Sequence, residues 1–264
     1  MIDSIHQSMI STALKCGERF RRYYIEGERV PAGVAAARGQ GLHAASKANL
    51  RQKILTHVDL PLNALQDAAR DGFIAHVDAG VFLPPEEIPF KQSILNEALK
   101  ETLKMVEFYG QHIAPGIQPV AVEEPFRTNI EGLPVPLAGT IDIETDGQIE
   151  DLKTAGKRWP DGKERSEVQG MLYSYAFQKR TGQRPKFVYR VILSGKRIEG
   201  QTLSFVPTNN DYKRMLLTVK RFWQMIEKGV FMPAAPGAWW CSPKWCQYWG
   251  TCWYVGNGNG SHWV

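Results

Sequence analysis

A turn signal at residues 138–154, AGTIDIETDGQIEDLKT, constrains the fold more than any other part of the sequence. Asp146-Gly147 is typical of a two-residue hairpin turn, and the residues on either side alternate between apolar and polar as strands do. Counting outward from this turn places Asp142 directly opposite Asp151. Two carboxylates side by side across a strand pair repel each other, because their Cβ atoms are only about 5 Å apart.

The same register sorts the hairpin into a polar face and an apolar face. Thr140 faces Lys153 beside the two aspartates, and the opposite face carries Ile141, Ile143 and Leu152. The polar face could be a solvated outer surface or the wall of a cleft. A divalent cation relieves the repulsion, since Mg²⁺ takes oxygen ligands at about 2.1 Å. Two aspartates and a lysine are the residue types that metal-assisted hydrolysis needs.

Sequence patterns predict helices, three strands, a helix, two strands and a last helix. The predicted helices cover residues 5–26, 34–55, 62–78, 91–113, 164–181 and 209–228. The predicted strands cover residues 117–130, 133–144, 148–154, 185–193 and 198–206. We expect one integrated domain made of a helical region (1–116), a mixed core (117–206) and a last helix with a cysteine-rich tail (207–264).

Composition sets wider limits. The 264 residues are 43% hydrophobic and 22% charged, which is enough to bury a sizeable core. The net charge of +5 permits an anionic partner such as nucleic acid without requiring one. The N-terminus has no signal-like segment and no apolar run is long enough to span a bilayer, so we expect a cytoplasmic protein with no membrane partner.

The four cysteines lie in two places. Cys16 stands alone, and Cys241, Cys246 and Cys252 lie close together near the end, where six of the eight tryptophans fall between positions 239 and 263. In a cytoplasmic chain this favours a metal or iron–sulfur site over disulfides, although four buried thiols are an alternative. The C-x4-C-x5-C spacing and the aromatic, water-poor surroundings suit a 4Fe-4S cluster better than zinc, which remains possible.

Several motifs together resemble one known family. Asp142, followed nine residues later by Asp151-Leu152-Lys153, is similar to the core motif of the PD-(D/E)XK nuclease superfamily. Residues 139–142 resemble the G-x-x-D motif of its RecB-like exonuclease branch, residues 169–173 its Q-x-x-x-Y motif, and residues 38–43 its upstream G-x-x-x-H motif. The position of the cysteines resembles the CRISPR-associated and AddB-type members that carry an iron–sulfur cluster. The resemblance covers roughly residues 8–252.

This resemblance implies an α/β fold with a restriction-endonuclease-like core, a mixed sheet flanked by helices. It implies that Asp142, Asp151 and the Leu152 carbonyl hold Mg²⁺ or Mn²⁺, with His43 assisting. It further implies that Lys153 supports the nucleophilic water.

Two more polar pairs bear on the same site. Gln169 and Tyr173 lie at i and i+4, so they share one helix face and could reach a phosphate or the catalytic lysine. Either Glu123 or Glu124 could add a further acidic group, but strand alternation lets only one of them face the cleft.

The resemblance implies a metal-dependent DNA exonuclease that acts on linear or single-stranded DNA. A structural 4Fe-4S cluster would join Cys16 to the other three cysteines. The chain departs from the family in having four residues, not two, between the first two cysteines of the trio, and Gly17 where Pro usually follows the first cysteine.

Two alternative functions stay open. One is a DNA-end-binding or processing subunit of a recombination, repair or CRISPR-adaptation complex, and the other is a zinc-stapled DNA-binding module without catalysis.

Overall fold

The computed structural model describes residues 2–195 and 197–256. Residues 257–264 of the predicted tail, with Trp263, and Lys196 of the turn predicted between the last two strands lie outside these ranges. The helices are α1 (Gln7–Lys15), α2 (Gly17–Phe20), α3 (Val34–Thr56), α4 (Leu62–Asp78), α5 (Lys91–Phe108), α6 (Lys163–Ser166), α7 (Val168–Thr181) and α8 (Asn209–Lys228). The strands are β1 (Ala121–Thr128), β2 (Leu137–Thr145), β3 (Gln148–Ala155), β4 (Lys186–Leu193) and β5 (Glu199–Phe205). None of the helices in these ranges is long and apolar enough to cross a membrane.

The prediction of one helix over residues 5–26 is wrong at Cys16. Its backbone is extended (φ −164°, ψ 109°), so it ends α1 and caps α2. Gly17 N–H donates to the Met232 carbonyl at 2.6 Å, and a Cβ on Gly17 would lie 2.7 Å from Met232 N and O. The break therefore coincides with the docking of the C-terminal segment, a long-range contact that helical periodicity does not report. The helix predicted over 164–181 is also divided, at the extended residue Glu167.

The five strands form one mixed sheet in the order β1-β2-β3-β4-β5, in which only β3 and β4 are parallel. The hairpin forms as expected, with Thr145 paired with Gln148 and Ile143 with Glu150. The ladder stops there: β2 continues along β1 and β3 along β4. The predicted pairing of Thr140 with Lys153 is therefore wrong, because the two strands separate after Ile143 and Glu150 and open a fork at Asp142 and Asp151.

Both faces of the sheet are buried. One core cluster includes Ile141 and residues of α1, α7 and α8, whereas Ile143 and Leu152 belong to a second cluster with residues of α3, α4 and α5. The expected division into one polar and one apolar face is thus not observed, since helices cover both sides of this sheet. The fork is consequently a polar opening between two hydrophobic cores.

Candidate active site

The two aspartates at the fork lie side by side and shift each other's pKa in opposite directions. Asp151 is only 1% exposed, and Asp142 lies against it. Burial, followed by the hydrogen bond and charge of Asp151, raises the pKa of Asp142 to about 9. Burial alone would also raise the pKa of Asp151, but the Lys153 charge and the hydrogen bond with Asp142 hold it below its ordinary value. The Asp151 charge thus acts on Asp142 in the direction that the sequence predicts, and a proton on Asp142 relieves the repulsion.

Lys153 is held at the fork by two partners. Its Nζ donates to Asp151 Oδ1 at 3.0 Å and to Gln169 Oε1 at 2.7 Å, and Gln169 Nε2 donates to the same Asp151 oxygen at 2.9 Å. Asp151 Oδ2 lies 2.9 Å from Lys153 Nζ, yet it is buried and has no hydrogen-bond partner of acceptable geometry. This triangle fixes the lysine and leaves one carboxylate oxygen available to a ligand.

Tyr173 lies one turn after Gln169 on the same helix, α7. Its hydroxyl is within hydrogen-bonding reach of the Gln169 side chain and the Thr140 backbone, and burial raises its pKa well above the ordinary value. A Cβ on Gly139 would lie 2.8 Å from the Phe126 ring and 3.2 Å from the Tyr173 ring. The glycine of the G-x-x-D stretch thus leaves room for the tyrosine to approach the strand.

His43 reaches the fork from α3, on the opposite side of the sheet. Its ring is in hydrogen-bond contact with the Leu152 backbone, and its charge environment includes Asp151 and Glu123. Burial lowers the pKa of His43 below the ordinary value of 6.5. The imidazole is therefore neutral at neutral pH, which is the form that binds a metal ion.

The structure distinguishes the two neighbouring glutamates. Glu123 lines the same small pocket as His43 and Asp142, and it forms a 2.9 Å ion pair with Lys47. Glu124 instead pairs with Arg180 at 3.4 Å. Glu123 also has a positive φ of 58°, an uncommon conformation for a residue with a side chain. The sequence interpretation missed Lys47, although its position four residues after His43 on one helix face was a usable signal.

The fork offers oxygen ligands for a cation but no complete metal cage. Among the described residues, no three His, Cys, Asp or Glu side chains are arranged to hold a metal ion. Two observations nevertheless fit a hard divalent cation. Asp151 has an oxygen without a hydrogen-bond partner, and Asp142 retains a proton whose place the cation would take.

Comparison with protein families agrees with this geometry. The family model of the PD-(D/E)XK nuclease superfamily matches residues 4–253. The chain belongs to this superfamily. Nucleases of the superfamily typically use Mg²⁺ or Mn²⁺. Membership therefore supports a hydrolytic nuclease built on the mixed sheet and its flanking helices.

Solved structures support the fold of this PD-(D/E)XK chain. A "Putative exonuclease" from Eubacterium rectale is 11% identical, with a TM-score of 0.57 over 90% of this chain and 87% of that chain. A second structure, SSO0001, is 12% identical over 68% of this chain and 86% of that chain, but its TM-score of 0.33 carries no argument. A search of curated protein sequences found no significant match.

The four cysteines of this superfamily member come together at a second site. All four are free thiols, and Cys16, Cys241 and Cys246 line one cavity of about 260 Å³. Burial, with a smaller contribution from the neighbouring thiols, raises the pKa of Cys241. Burial also raises the pKa of Cys246, and Cys16 and Cys252 act in the same direction. The expected meeting of Cys16 with the C-terminal trio is thus present in the described part of the chain, although the sulfur atoms do not form a ready-made metal site.

Hydrogen bonds dock the tail onto the N-terminal helices. Trp240 Nε1 donates to the Lys15 carbonyl at 3.2 Å, and Tyr248 OH donates to the Glu28 carbonyl at 2.5 Å. The expected water-poor aromatic surroundings are only partly formed, because Trp239 is 65% exposed and Trp245 is 48% exposed.

Proposed function

We propose that this protein is a metal-dependent DNA exonuclease of the RecB-like branch, which hydrolyses phosphodiester bonds of linear or single-stranded DNA. The observation that carries the proposal is the group of Lys153, Gln169 and Asp151 at the fork, with Asp142 beside it. We further propose that the protein acts in the cytoplasm. We also propose that residues 1–116, 117–206 and 207–264 are three parts of one integrated domain.

Asp142, Asp151 and the Leu152 carbonyl are the proposed ligands of Mg²⁺ or Mn²⁺, with His43 assisting. The cation would supply Lewis acidity at the scissile phosphodiester. The chain's own contribution is positional: Gln169 and Asp151 hold the Lys153 ammonium at the fork, and the lysine side chain is 29% exposed there. From there Lys153 can orient a water molecule and stabilise negative charge that develops on phosphate.

Tyr173 and Gln169 are proposed to complete the site from α7. The cleft beside Asp142 has a volume of about 520 Å³ and is lined by Tyr173, Thr140 and Arg127. Tyr173 keeps its proton at neutral pH, so it can donate a hydrogen bond to a phosphate oxygen.

We propose that Cys16, Cys241, Cys246 and Cys252 hold a structural 4Fe-4S cluster. The docking of the tail at Lys15 and Glu28 supports this role, because it brings the trio to Cys16. Zinc is the competing metal. A brown protein that absorbs near 400 nm, roughly where iron–sulfur charge transfer lies, would exclude zinc as the native metal.

The proposed activity is tested with purified protein and end-labelled linear single-stranded and double-stranded DNA, with Mg²⁺ or Mn²⁺. We expect loss of linear substrate that EDTA abolishes, while sealed circles of the same sequence persist. Equal cutting of circles would contradict exonuclease action, and absence of cutting would favour a DNA-end-binding subunit that works with partners in recombination, repair or CRISPR adaptation.

A further inference from the structure

Two tryptophans of the cysteine-rich tail face solvent without a role in the proposed cluster shell. Trp239 and Trp245 have ring centroids 5.3 Å apart at an interplanar angle of 83°, and both are exposed. Exposed, adjacent aromatic rings are costly to leave in water unless something covers them. They are also the side chains on which unpaired nucleic-acid bases stack, because every base has a flat aromatic face.

Positive charge lies in the same groove as Trp245. Trp245 lines a groove of about 1090 Å³ together with Lys244, Lys15 and Arg19, and the Lys244 ammonium lies 5.6 Å from the Trp245 ring centroid. In the described ranges of the chain, no salt bridge involves any of these three basic residues.

The acidic residues of the same groove are Glu87, just before α5, and Glu97 and Glu101 on α5, so none of them belongs to the tail or to α1 and α2. Glu101 pairs with Arg38, and Glu97 pairs with Lys100. The wall formed by Lys15, Arg19, Lys244 and Trp245 therefore offers positive charge beside an aromatic surface, which complements a phosphate backbone with exposed bases.

A polar stripe on α1 connects this wall to the fork. Gln7 and Ser8 line the cleft beside Asp142 and also the cavity of the cysteines. Lys15 and Arg19 line that cavity and also the groove of Trp245. Side chains able to bind phosphates thus follow one another from Gln7, Ser8 and Lys15 on α1 to Arg19 on α2, between the fork and the groove of Trp245.

We propose that Trp239 and Trp245 form a stacking platform for an unpaired DNA strand whose backbone follows α1 to the fork. The inference rests on the proposed nuclease function, and it assigns strand selection to the tail. A duplex keeps its bases stacked inside the helix and cannot use the platform, so the platform favours a single strand over a duplex.

The test measures the binding of fluorescent oligo(dT) and of a duplex of equal length to the intact protein without divalent cations, so that cleavage does not intervene. We expect Trp245→Leu to weaken oligo(dT) binding about 5- to 150-fold, the range for loss of one stacked base. Trp245→Phe keeps an aromatic ring and should retain most of the affinity. Duplex binding should change little in either variant.

Matched substitutions at Trp223 control for general effects of losing a tryptophan. Trp223 lies on α8 and donates to Glu227 at 2.8 Å, and it does not line the groove. Trp223→Leu should leave oligo(dT) affinity unchanged.

Lys244→Gln should reduce the salt dependence of oligo(dT) binding. The slope of log Kd against log salt concentration should be smaller by about 0.7. Each variant's melting temperature reports whether the tail is intact.

Several results would overturn the platform. One is unchanged oligo(dT) affinity in the Trp239→Leu, Trp245→Leu double variant, and another is equal loss of duplex binding. A wild-type dimer that becomes monomeric in this variant, with DNA affinity unchanged, would show that the patch binds a second copy of the chain instead. Cleavage by the wild type is measured separately. If the wild type cuts DNA and the double variant keeps full oligo(dT) affinity, the platform alone is refuted. If the double variant loses affinity and the wild type does not cut DNA, the nuclease proposal alone is refuted.

Discussion

The fork and the cysteine site are assembled in opposite ways. Asp142 and Asp151 lie nine residues apart on one hairpin, and buried cores on both sides of the sheet hold the strands that carry them. The cysteines come from the two ends of the chain and meet because the tail docks on the N-terminal helices. The fork buries two carboxyl groups side by side, which costs stability, whereas the docked tail ties distant segments together, which contributes stability.

This difference separates the expected consequences of substitution. Changes at the fork should alter activity first and can leave stability unchanged or raise it. Changes at the cysteine site should lower stability first and reduce activity only through unfolding.

The largest expected effect is the loss of cleavage on changing the fork. Asp151→Asn keeps the shape of a buried side chain but removes its charge, and Lys153→Ala removes the ammonium that Gln169 holds. We expect cleavage to fall by about 10³-fold or more for Asp151→Asn and about 10²- to 10³-fold for Lys153→Ala. The measurement is the initial rate on end-labelled linear DNA with Mg²⁺. Lys157→Ala, at an exposed lysine just beyond β3, is the matched control and should keep full activity.

The next effect is on stability at the cysteine site. If one cluster joins Cys16 to the trio, it closes nearly the whole chain into a loop, and such a cross-link is worth about 4 to 5 kcal/mol in the chain-entropy model for disulfides. Cys16→Ser and Cys246→Ser should both bleach the protein and lower Tm by roughly 8 to 20 °C. The measurements are absorbance, iron content and thermal unfolding. A Cys16→Ser protein that kept its colour and Tm, beside a bleached Cys246→Ser protein, would make Cys16 an ordinary thiol.

A smaller effect is expected where the tail docks. The added Cβ of Gly17→Ala would meet the Met232 backbone at 2.7 Å, so either the tail or α2 must shift. Overpacking of this kind costs about 1 to 3 kcal/mol, or a Tm lower by roughly 2 to 12 °C. Gly39→Ala is the control, because a Cβ there meets nothing within 4 Å and the residue lies inside α3. That substitution should leave Tm unchanged or raise it slightly.

The two sites also differ in how far the sequence predicts them. The Asp146-Gly147 turn is local, so the register that places Asp142 beside Asp151 follows from counting residues. The separation of β2 and β3 after Ile143 and Glu150 does not, because it depends on β3 pairing with β4, in which Gln148 faces Lys186, 38 residues further along the chain. For the same reason the sequence implied an apolar face that the structure divides between two cores.

At the cysteine site, the residues were predictable but their surroundings were not. Helical periodicity continues through Cys16, and only the contact between Gly17 and Met232 explains the break.

At the fork, the choice of Glu123 over Glu124 depends on the positive φ of Glu123 and its ion pair with Lys47. The alternation of strand residues reveals neither of these features.

The smallest effect concerns the pH dependence of stability at the fork. Asp142 has a pKa of about 9 in the folded protein and an ordinary value near 4 when unfolded. Between these values the folded protein keeps a proton that the unfolded chain releases. The free energy of unfolding should therefore fall as pH rises, by at most about 1.4 kcal/mol per pH unit. The lowered pKa values of His43 and Asp151 give the opposite slope, but only below pH 6.5 and 3.8 respectively.

Denaturant unfolding without divalent cations at pH 7.0 and 8.5 isolates Asp142. Asp142→Asn has no proton to lose, so its stability should stay nearly level while that of the wild type falls by up to about 2 kcal/mol. Every other side chain is the same in both proteins, so the difference between their pH dependences reports Asp142. Parallel pH dependence of the two proteins would mean that Asp142 is already ionised at pH 7. In that case the carboxylate pair would tolerate both charges, and the fork would not carry the electrostatic cost that distinguishes it from the docked tail.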